Sequence, residues 1–246
     1  MRLLLVGYGR MGRLVEQLAP SYGFELGGVL DEATNVGGSG ATAERCRGVD
    51  LAVDFSTPEA TLATAPRLAA LGVSLVVGTT GWQAGEAELR EAVARAGIGA
   101  VVAANFSLGA NVLDALAESA GRLLNEAEAY GAFIHEAHHR AKKDAPSGTA
   151  LMLRRALERG GYVRPVDVSS TRAGFIPGTH TVGFDGPAET LELVHTVRDR
   201  ATFAHGALAA ARWVVGKEGW FSMRDVLSSR GARFESGAEG SAITTR

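Results

Sequence analysis

The sequence predicts an α/β protein of two domains, a doubly wound parallel sheet followed by an α+β domain with a mixed or antiparallel sheet. Three observations carry the prediction. Over the first hundred residues, short continuous apolar runs alternate with longer amphipathic ones, as expected of strands covered by helices on both faces. That rhythm then stops, and from Val166 to Arg198 short alternating segments are separated by Gly and Pro turns. Finally, a G-x-G-x-x-G run, Gly7-Tyr8-Gly9-Arg10-Met11-Gly12, lies between the first strand and the first helix.

Taken in order, Leu3 to Val6 reads as a buried strand, Met11 to Tyr22 as a helix and Phe24 to Leu30 as a second strand. A Gly-rich loop leads to a third strand, Val49 to Phe55. Pro58 to Leu71 is helical, with Pro58 at an early helical position where its missing amide costs nothing. Val73 to Val77 is a fourth strand, Glu86 to Ala96 a helix and Ile98 to Ala103 a fifth strand. Beyond these come a helix from Asn111 to Leu124, a strand from Ala129 to Glu136 and a helix from Ala150 to Arg159. Thr179 to Phe184 and Thr190 to Thr196 alternate as strands, and Phe203 to Val215 returns to helix. The tail after Leu227 is rich in Ser, Gly and Ala, and its last dozen residues are expected to be loose. The expected domains are 1–108 with 215–246, for nucleotide, and 109–214, for substrate.

Composition narrows the function. A chain of 246 residues buries enough surface to need neither disulfide nor metal, and a single cysteine, Cys46, points to a reducing, cytoplasmic setting. A net charge of −2 gives no footprint for nucleic acid or an anionic membrane, and no apolar run reaches spanning length.

In the glycine run, the first glycine permits the tight turn, the second lets a pyrophosphate approach the backbone, and the third lets the helix pack close to the strand. The context is that of a Rossmann-type dinucleotide site, because Asp31 closes the second strand about twenty residues on. Asp31 would accept hydrogen bonds from the adenosine ribose, and with Glu32 it would repel a 2′-phosphate. Arg10 is placed to lie against such a phosphate. NADH is therefore favoured, with NADPH use still open. Gly78-Thr79-Thr80-Gly81 and Ala103-Ala104-Asn105-Phe106-Ser107 follow the fourth and fifth strands, where the nicotinamide half would lie; simple loop chemistry is the alternative.

The most informative stretch runs from Glu136 to Ala150. It places His138, His139, Arg140, Lys142 and Lys143 together, then turns through Pro146-Ser147-Gly148-Thr149 into a helix. The bland reading is a solvated basic loop. The functional reading is a pocket for an anion, with the amides of Gly148 and Thr149 at a helix N-terminus and His138 and Lys142 able to exchange protons. His138 and His139 are read as loop residues with no carboxylate or Cys partner set, so no metal is expected. His180 and His195 read as core or interface histidines, and His135 as facing away from Glu136.

That stretch resembles the signature of the dihydrodipicolinate reductase family. The resemblance continues through Val53-Asp54-Phe55-Ser56, Gly78 to Gly81, Asn105-Phe106-Ser107, Arg172, Gly174, Gly178, His180, Phe184, Glu192 and His195. It ends with Phe203 to Ala207 and Met223 to Leu227. It implies a reductase in which His138 is the proton donor/acceptor, Lys142 the second proton donor, and His139, Gly148 and Thr149 the contacts to a small dicarboxylate. It implies cofactor contacts at Gly7, Tyr8, Gly9, Arg10, Met11, Gly12, Asp31, Gly78, Thr79, Thr80, Ala103, Ala104, Asn105 and Phe106. It also implies a homotetramer assembled through the second domain's sheet. With cofactor and substrate sites on different domains, closure about hinges near Leu108 and Val215 is expected to complete the site. The glycine run is one residue shorter than the family's commonest form, Glu32 replaces a basic residue common there, and Lys143 has no assigned role. A nucleotide-sensing regulatory protein is the rival reading, and a dehydrogenase of an aldehyde or sugar a third; neither requires the His138-His139-x-x-Lys142 stretch.

Overall fold

A computed structural model describes residues 1–235, with side chains through residue 229. Four consecutive apolar residues, Leu3 to Val6, form the buried part of β1 (Arg2–Val6). The chain continues through α1 (Arg10–Leu18), β2 (Glu25–Leu30), β3 (Leu51–Asp54), α2 (Pro58–Ala70), β4 (Ser74–Val77), α3 (Glu86–Ala96) and β5 (Gly99–Val102). The first helix is α-helical only to Leu18. It closes in a tighter turn over Ala19–Tyr22, where Pro20 has no amide to continue the ladder.

Next come α4 (Leu108–Leu124), β6 (Gly131–His138), α5 (Gly148–Arg159), β7 (Val166–Arg172), β8 (Thr179–Asp185) and β9 (Thr190–Thr196). The described residues close with α6 (Ala201–Val214), β10 (Gly219–Phe221) and α7 (Met223–Glu235). Helix α7 carries the chain past Leu227, and most of the dozen residues expected to be loose lie outside the described ones.

Two compact units result, Met1–Ala104 with the chain from Ala204 onward, and Asn105–Phe203. In the first unit all strands run parallel in the order β10-β5-β4-β3-β1-β2. Apolar side chains of β1, β3, β4 and β5 pack with Ala65, Leu68, Leu89 and Val93 of α2 and α3. Helix α6, expected to belong with 109–214, packs here from Ala204 onward. Its Val214 lies so close to Gly99 of β5 that a Cβ at residue 99 would stand 2.7 Å from the valine methyl.

In the second unit the sheet order is β7-β6-β8-β9, with β6 and β7 parallel and the other pairs antiparallel. The sheet is therefore mixed. Helices α4 and α5 share its core, in which Leu113, Ala117, Leu153 and Leu157 meet Ile134, Val182 and Phe184. Burial alternates along β6, so Ala132, Ile134, Glu136 and His138 share one buried face while Phe133, His135 and Ala137 occupy the other. Among the described residues, no helix is long and apolar enough to cross a membrane.

Candidate active site

The three glycines of the first turn differ in what surrounds them. A Cβ at Gly7 would lie 2.6 Å from the Phe55 carbonyl, and its φ of +87° suits glycine alone. A Cβ at Gly12 would lie 2.3 Å from the Gly7 carbonyl, so the helix sits hard against the loop. At Gly9 nothing lies within 4 Å, and the backbone is open on that side. Beside it is a cleft of about 540 Å³ lined by Gly7, Tyr8, Gly9 and Asp31. Met11, Gly78, Thr79 and Thr80 line a second cleft of about 360 Å³. This bare backbone at a helix N-terminus fits a dinucleotide pyrophosphate.

Arg10 is exposed and lines neither cleft. The arginine in the larger cleft is Arg13, one turn further on, with its guanidinium carbon 5.3 Å from the centre of the Tyr8 ring. Asn35, Ser56 and Thr57 also line that cleft; Asn35 and Thr57 escaped the sequence reading, and the resemblance included Ser56 without a role. Asp31 Oδ1 accepts from the Thr34 amide at 2.9 Å, the Thr34 hydroxyl at 2.8 Å and the Ala33 amide at 3.2 Å. These donors, the Thr34 hydroxyl foremost, hold its carboxyl below the usual range and keep it charged.

The Ala103 to Phe106 run divides between the units. Asn105 belongs to the second, where its Oδ1 accepts from the Ser107 amide at 2.8 Å and its Nδ2 lies 3.4 Å from Thr149 Oγ1. The Thr79 hydroxyl, beside the second cleft, donates to Asp54 Oδ1 at 3.0 Å. Asp54 ends β3 and is buried; its Oδ1 also accepts from the Ser56 amide at 2.9 Å and from the Ser56 hydroxyl. Its Oδ2 has no hydrogen-bond partner among the described residues, and burial pushes the carboxyl up despite the donors.

In the second unit, strand register assembles a cluster from three strands. Glu136 of β6 stands opposite His180 of β8, and His138 of β6 opposite Arg172 of β7. His138 is the last residue of β6 and is buried, not a loop residue as expected. The sequence reading found no carboxylate to join it, and the fold supplies Glu136, whose side chain is fully buried. Arg172 grips that carboxylate with both ends of its fork, Nη1 to Oε2 at 2.9 Å and Nη2 to Oε1 at 2.6 Å. The Ser147 amide donates to Oε1 at 3.3 Å, and His138 Nδ1 bonds Oε2. Burial would raise the Glu136 pKa, but Arg172, Ser170 and His138 outweigh it and bring it to about 2. Burial lowers His138, against the pull of Glu136.

His180, read from sequence as a core or interface histidine, meets His138 edge-on with ring centres 5.0 Å apart. Its Nε2 bonds Ser147 Oγ at 3.0 Å, and burial takes its pKa down to about 4. Half-buried His195 lies 3.4 Å from Ser107 Oγ. His135 faces the other side, against Ser169 Oγ at 2.9 Å.

The turn after β6 brings Lys142 close enough to act electrostatically on His138. Lys142 does not stand among cations alone, since its Nζ lies 2.8 Å from Asp144 Oδ1. The Asp144 carbonyl accepts from Arg172 Nη2 at 2.6 Å, so one guanidinium holds both Glu136 and the loop. Ser147 caps α5 by accepting from the Ala150 amide, and a Cβ at Gly148 would meet nothing within 4 Å. First-turn amides have no acceptor within their own helix, so Gly148 and Thr149 present donors to an anion. His139, the residue after β6, is half-buried, and its carbonyl accepts from the Lys142 amide at 3.0 Å. Glu136, His138 and His180 offer ligand atoms within 4.8 Å of one another. Arg172 already engages both Glu136 oxygens, however, and a metal ion would have to displace that cation. The arrangement suits proton exchange beside an anion site better than metal binding.

Comparison with known proteins matches both halves. Residues 1–106 fit the family model described as dihydrodipicolinate reductase, N-terminus, and residues 109–227 fit that for the C-terminus. A 4-hydroxy-tetrahydrodipicolinate reductase from Laribacter hongkongensis is 37% identical, covering 94% of this chain and 99% of its own. That of Cupriavidus necator is 39% identical over 89% of this chain and 96% of its own. Among solved structures, a dipicolinate-bound dihydrodipicolinate reductase from Paenisporosarcina superposes with a TM-score of 0.78, covering 90% of this chain and 97% of its own. At 21% identity that likeness is one of fold.

Proposed function

The chain belongs to the dihydrodipicolinate reductase family, and from that premise we propose that it reduces (2S,4S)-4-hydroxy-2,3,4,5-tetrahydrodipicolinate to 2,3,4,5-tetrahydrodipicolinate with loss of water, in lysine biosynthesis through diaminopimelate. The observation that carries the reading is the His138-His139-x-x-Lys142 stretch, seated between a buried carboxylate and an open helix N-terminus, in a chain similar to reductases along nearly its whole length.

A reduced nicotinamide cofactor, when bound, supplies the hydride. Gly7 to Gly12 would hold its pyrophosphate and Asp31 its adenosine ribose, while Gly78, Thr79, Thr80, Ala103 and Ala104 would border its nicotinamide half, with Asn105 and Phe106 following. A charged Asp31 beside Glu32 opposes a 2′-phosphate, so NADH is favoured over NADPH, and Arg13 is the cation available to moderate that preference. The Gly148 and Thr149 amides, the Thr149 hydroxyl and His139 would bind the substrate's carboxylates. His138 and Lys142 would supply and accept protons as electron density moves toward the ring nitrogen, and the surrounding positive charge would stabilise it. We further propose a cytoplasmic homotetramer, which light scattering of purified protein tests directly.

The decisive assay follows NADH and NADPH absorbance with purified protein and freshly generated substrate. Oxidation of nucleotide dependent on that substrate is expected, and its absence contradicts the reading. His138→Ala and Lys142→Ala should each lower turnover by about two to four powers of ten with nucleotide binding preserved. Wild-type turnover in either removes that residue from the mechanism.

A further inference from the structure

The buried face of β6 carries more than the proton-exchanging histidine. Glu136 lies two residues before His138 on the same face, with no exposed surface on its side chain. Donors converge on it from several sides: both ends of the Arg172 fork, the Ser147 amide, the His138 ring and the Ser170 side chain. A carboxylate gripped in this way by a guanidinium carries no proton of its own and can only accept. The ring atom facing it is Nδ1, so Nδ1 must carry the hydrogen.

The His138 side chain keeps 11% of its surface exposed, and its other ring nitrogen, Nε2, lies toward Gly178. Gly178 opens the approach to β8, and a Cβ there would stand 3.1 Å from His138 Nε2. Its φ of +144° lies where L side chains are rarely found, so backbone conformation and clearance both call for glycine. His180 does not compete for Nε2, because its own Nε2 is engaged by Ser147.

We propose that Glu136, clamped by Arg172, is a positioning residue that fixes His138 as the Nδ1–H tautomer and makes Nε2 the atom that exchanges a proton with substrate. This rests on the reading that His138 exchanges a proton in the reaction. The proton leaves Nε2 of the imidazolium for the substrate ring, leaving a neutral imidazole whose Nδ1–H still faces an anionic Glu136. Water then returns a proton to Nε2. Glu136 itself never takes up the proton, which separates positioning from relay.

Two measurements test this. In the full-length wild-type protein with ¹⁵N-labelled histidine, long-range nitrogen–proton correlation near neutral pH should give a pyrrole-like Nδ1 and a pyridine-like Nε2 for His138. The signals are assigned by their loss in His138→Ala. The reverse pattern overturns the proposal whether or not the protein turns over the dicarboxylate. Glu136→Gln, whose amide can donate to Nδ1 and invert the tautomer, should lower kcat by about a hundredfold or more with the nucleotide KM unchanged. The groups facing His138 are Glu136 on its own strand, Arg172 from β7, His180 from β8 and Lys142 from the following turn. Removing the one anion among them should shift the histidine limb of the pH–rate profile to lower pH. A Glu136→Gln enzyme with wild-type kcat and an unmoved limb overturns the proposal.

Discussion

Two buried carboxylates, Asp54 at the end of a strand in the first unit and Glu136 two residues short of a strand end in the second, meet the same problem in different ways. Asp54 at the end of β3 is surrounded by hydroxyls and an amide, all directed at one oxygen, and its other oxygen has no hydrogen-bond partner among the described residues. Glu136 on β6 has both oxygens engaged, and a guanidinium spans them. Burial wins at Asp54, which is pushed up, whereas at Glu136 the cation and its companions win and the group falls to about 2. Hydrogen bonds from neutral donors thus fail to offset desolvation where a bidentate cation succeeds. Each carboxylate also ties local structure together. Asp54 joins the loops after β3 and β4 beside the cleft lined by Ser56, Gly78 and Thr79, and Glu136 joins β6, β7 and the start of α5.

The comparison breaks most sharply at Arg172. Arg172→Met strips Glu136 of its cation while leaving it buried, and should cost about 3 kcal/mol of unfolding free energy in urea titrations. A loss near zero means that the fork contributes little to holding the charge. Acid titration gives the next effect. Because the folded pKa of Glu136 lies below its ordinary 4.5, its stabilisation is complete above that pH and is lost as pH falls through about 2. The stability difference between wild type and Glu136→Gln should therefore widen with rising pH across that window; a constant difference contradicts the assignment. Asp54 has the opposite sign and the smallest expected effect. Its folded value lies above its ordinary 3.8, so its contribution is most favourable below that pH and worsens as pH rises through the raised value. Asp54→Asn should abolish that decline and shift stability at neutral pH by no more than about 1 kcal/mol. A large loss would show Asp54 to be a needed anion.

Much of the fold is legible in sequence because buried parallel strands are written as unbroken apolar runs. Leu3 to Val6 announces itself in this way, and Val73 to Val77 does so with one interruption at Ser74. Strand β10 does not, since three residues, Gly219 to Phe221, are too few to show a period and are recognised only by pairing with β5. The glycine run is legible because each position answers a separate steric demand. The surroundings of His138 are only half legible. The two-residue spacing of Glu136 and His138 places both on one face of a strand, a signal available in advance had β6 been extended to its true end. Arg172 and His180 lie on other strands, and their approach depends on register, which linear spacing does not encode. The same holds for Asp54, whose partner Thr79 comes from the loop that follows the neighbouring strand β4.

The single guanidinium that reaches both Glu136 and the Asp144 carbonyl yokes two adjustable quantities to one side chain. The hydrogen inventory of one imidazole and the path of the segment bearing Lys142 share a hinge pin. A lysine at 172 offers one point of charge where the site uses a planar fork, so it has to forsake one load to keep the other. Substitutions elsewhere can tune either property separately, but no change at this arginine keeps both.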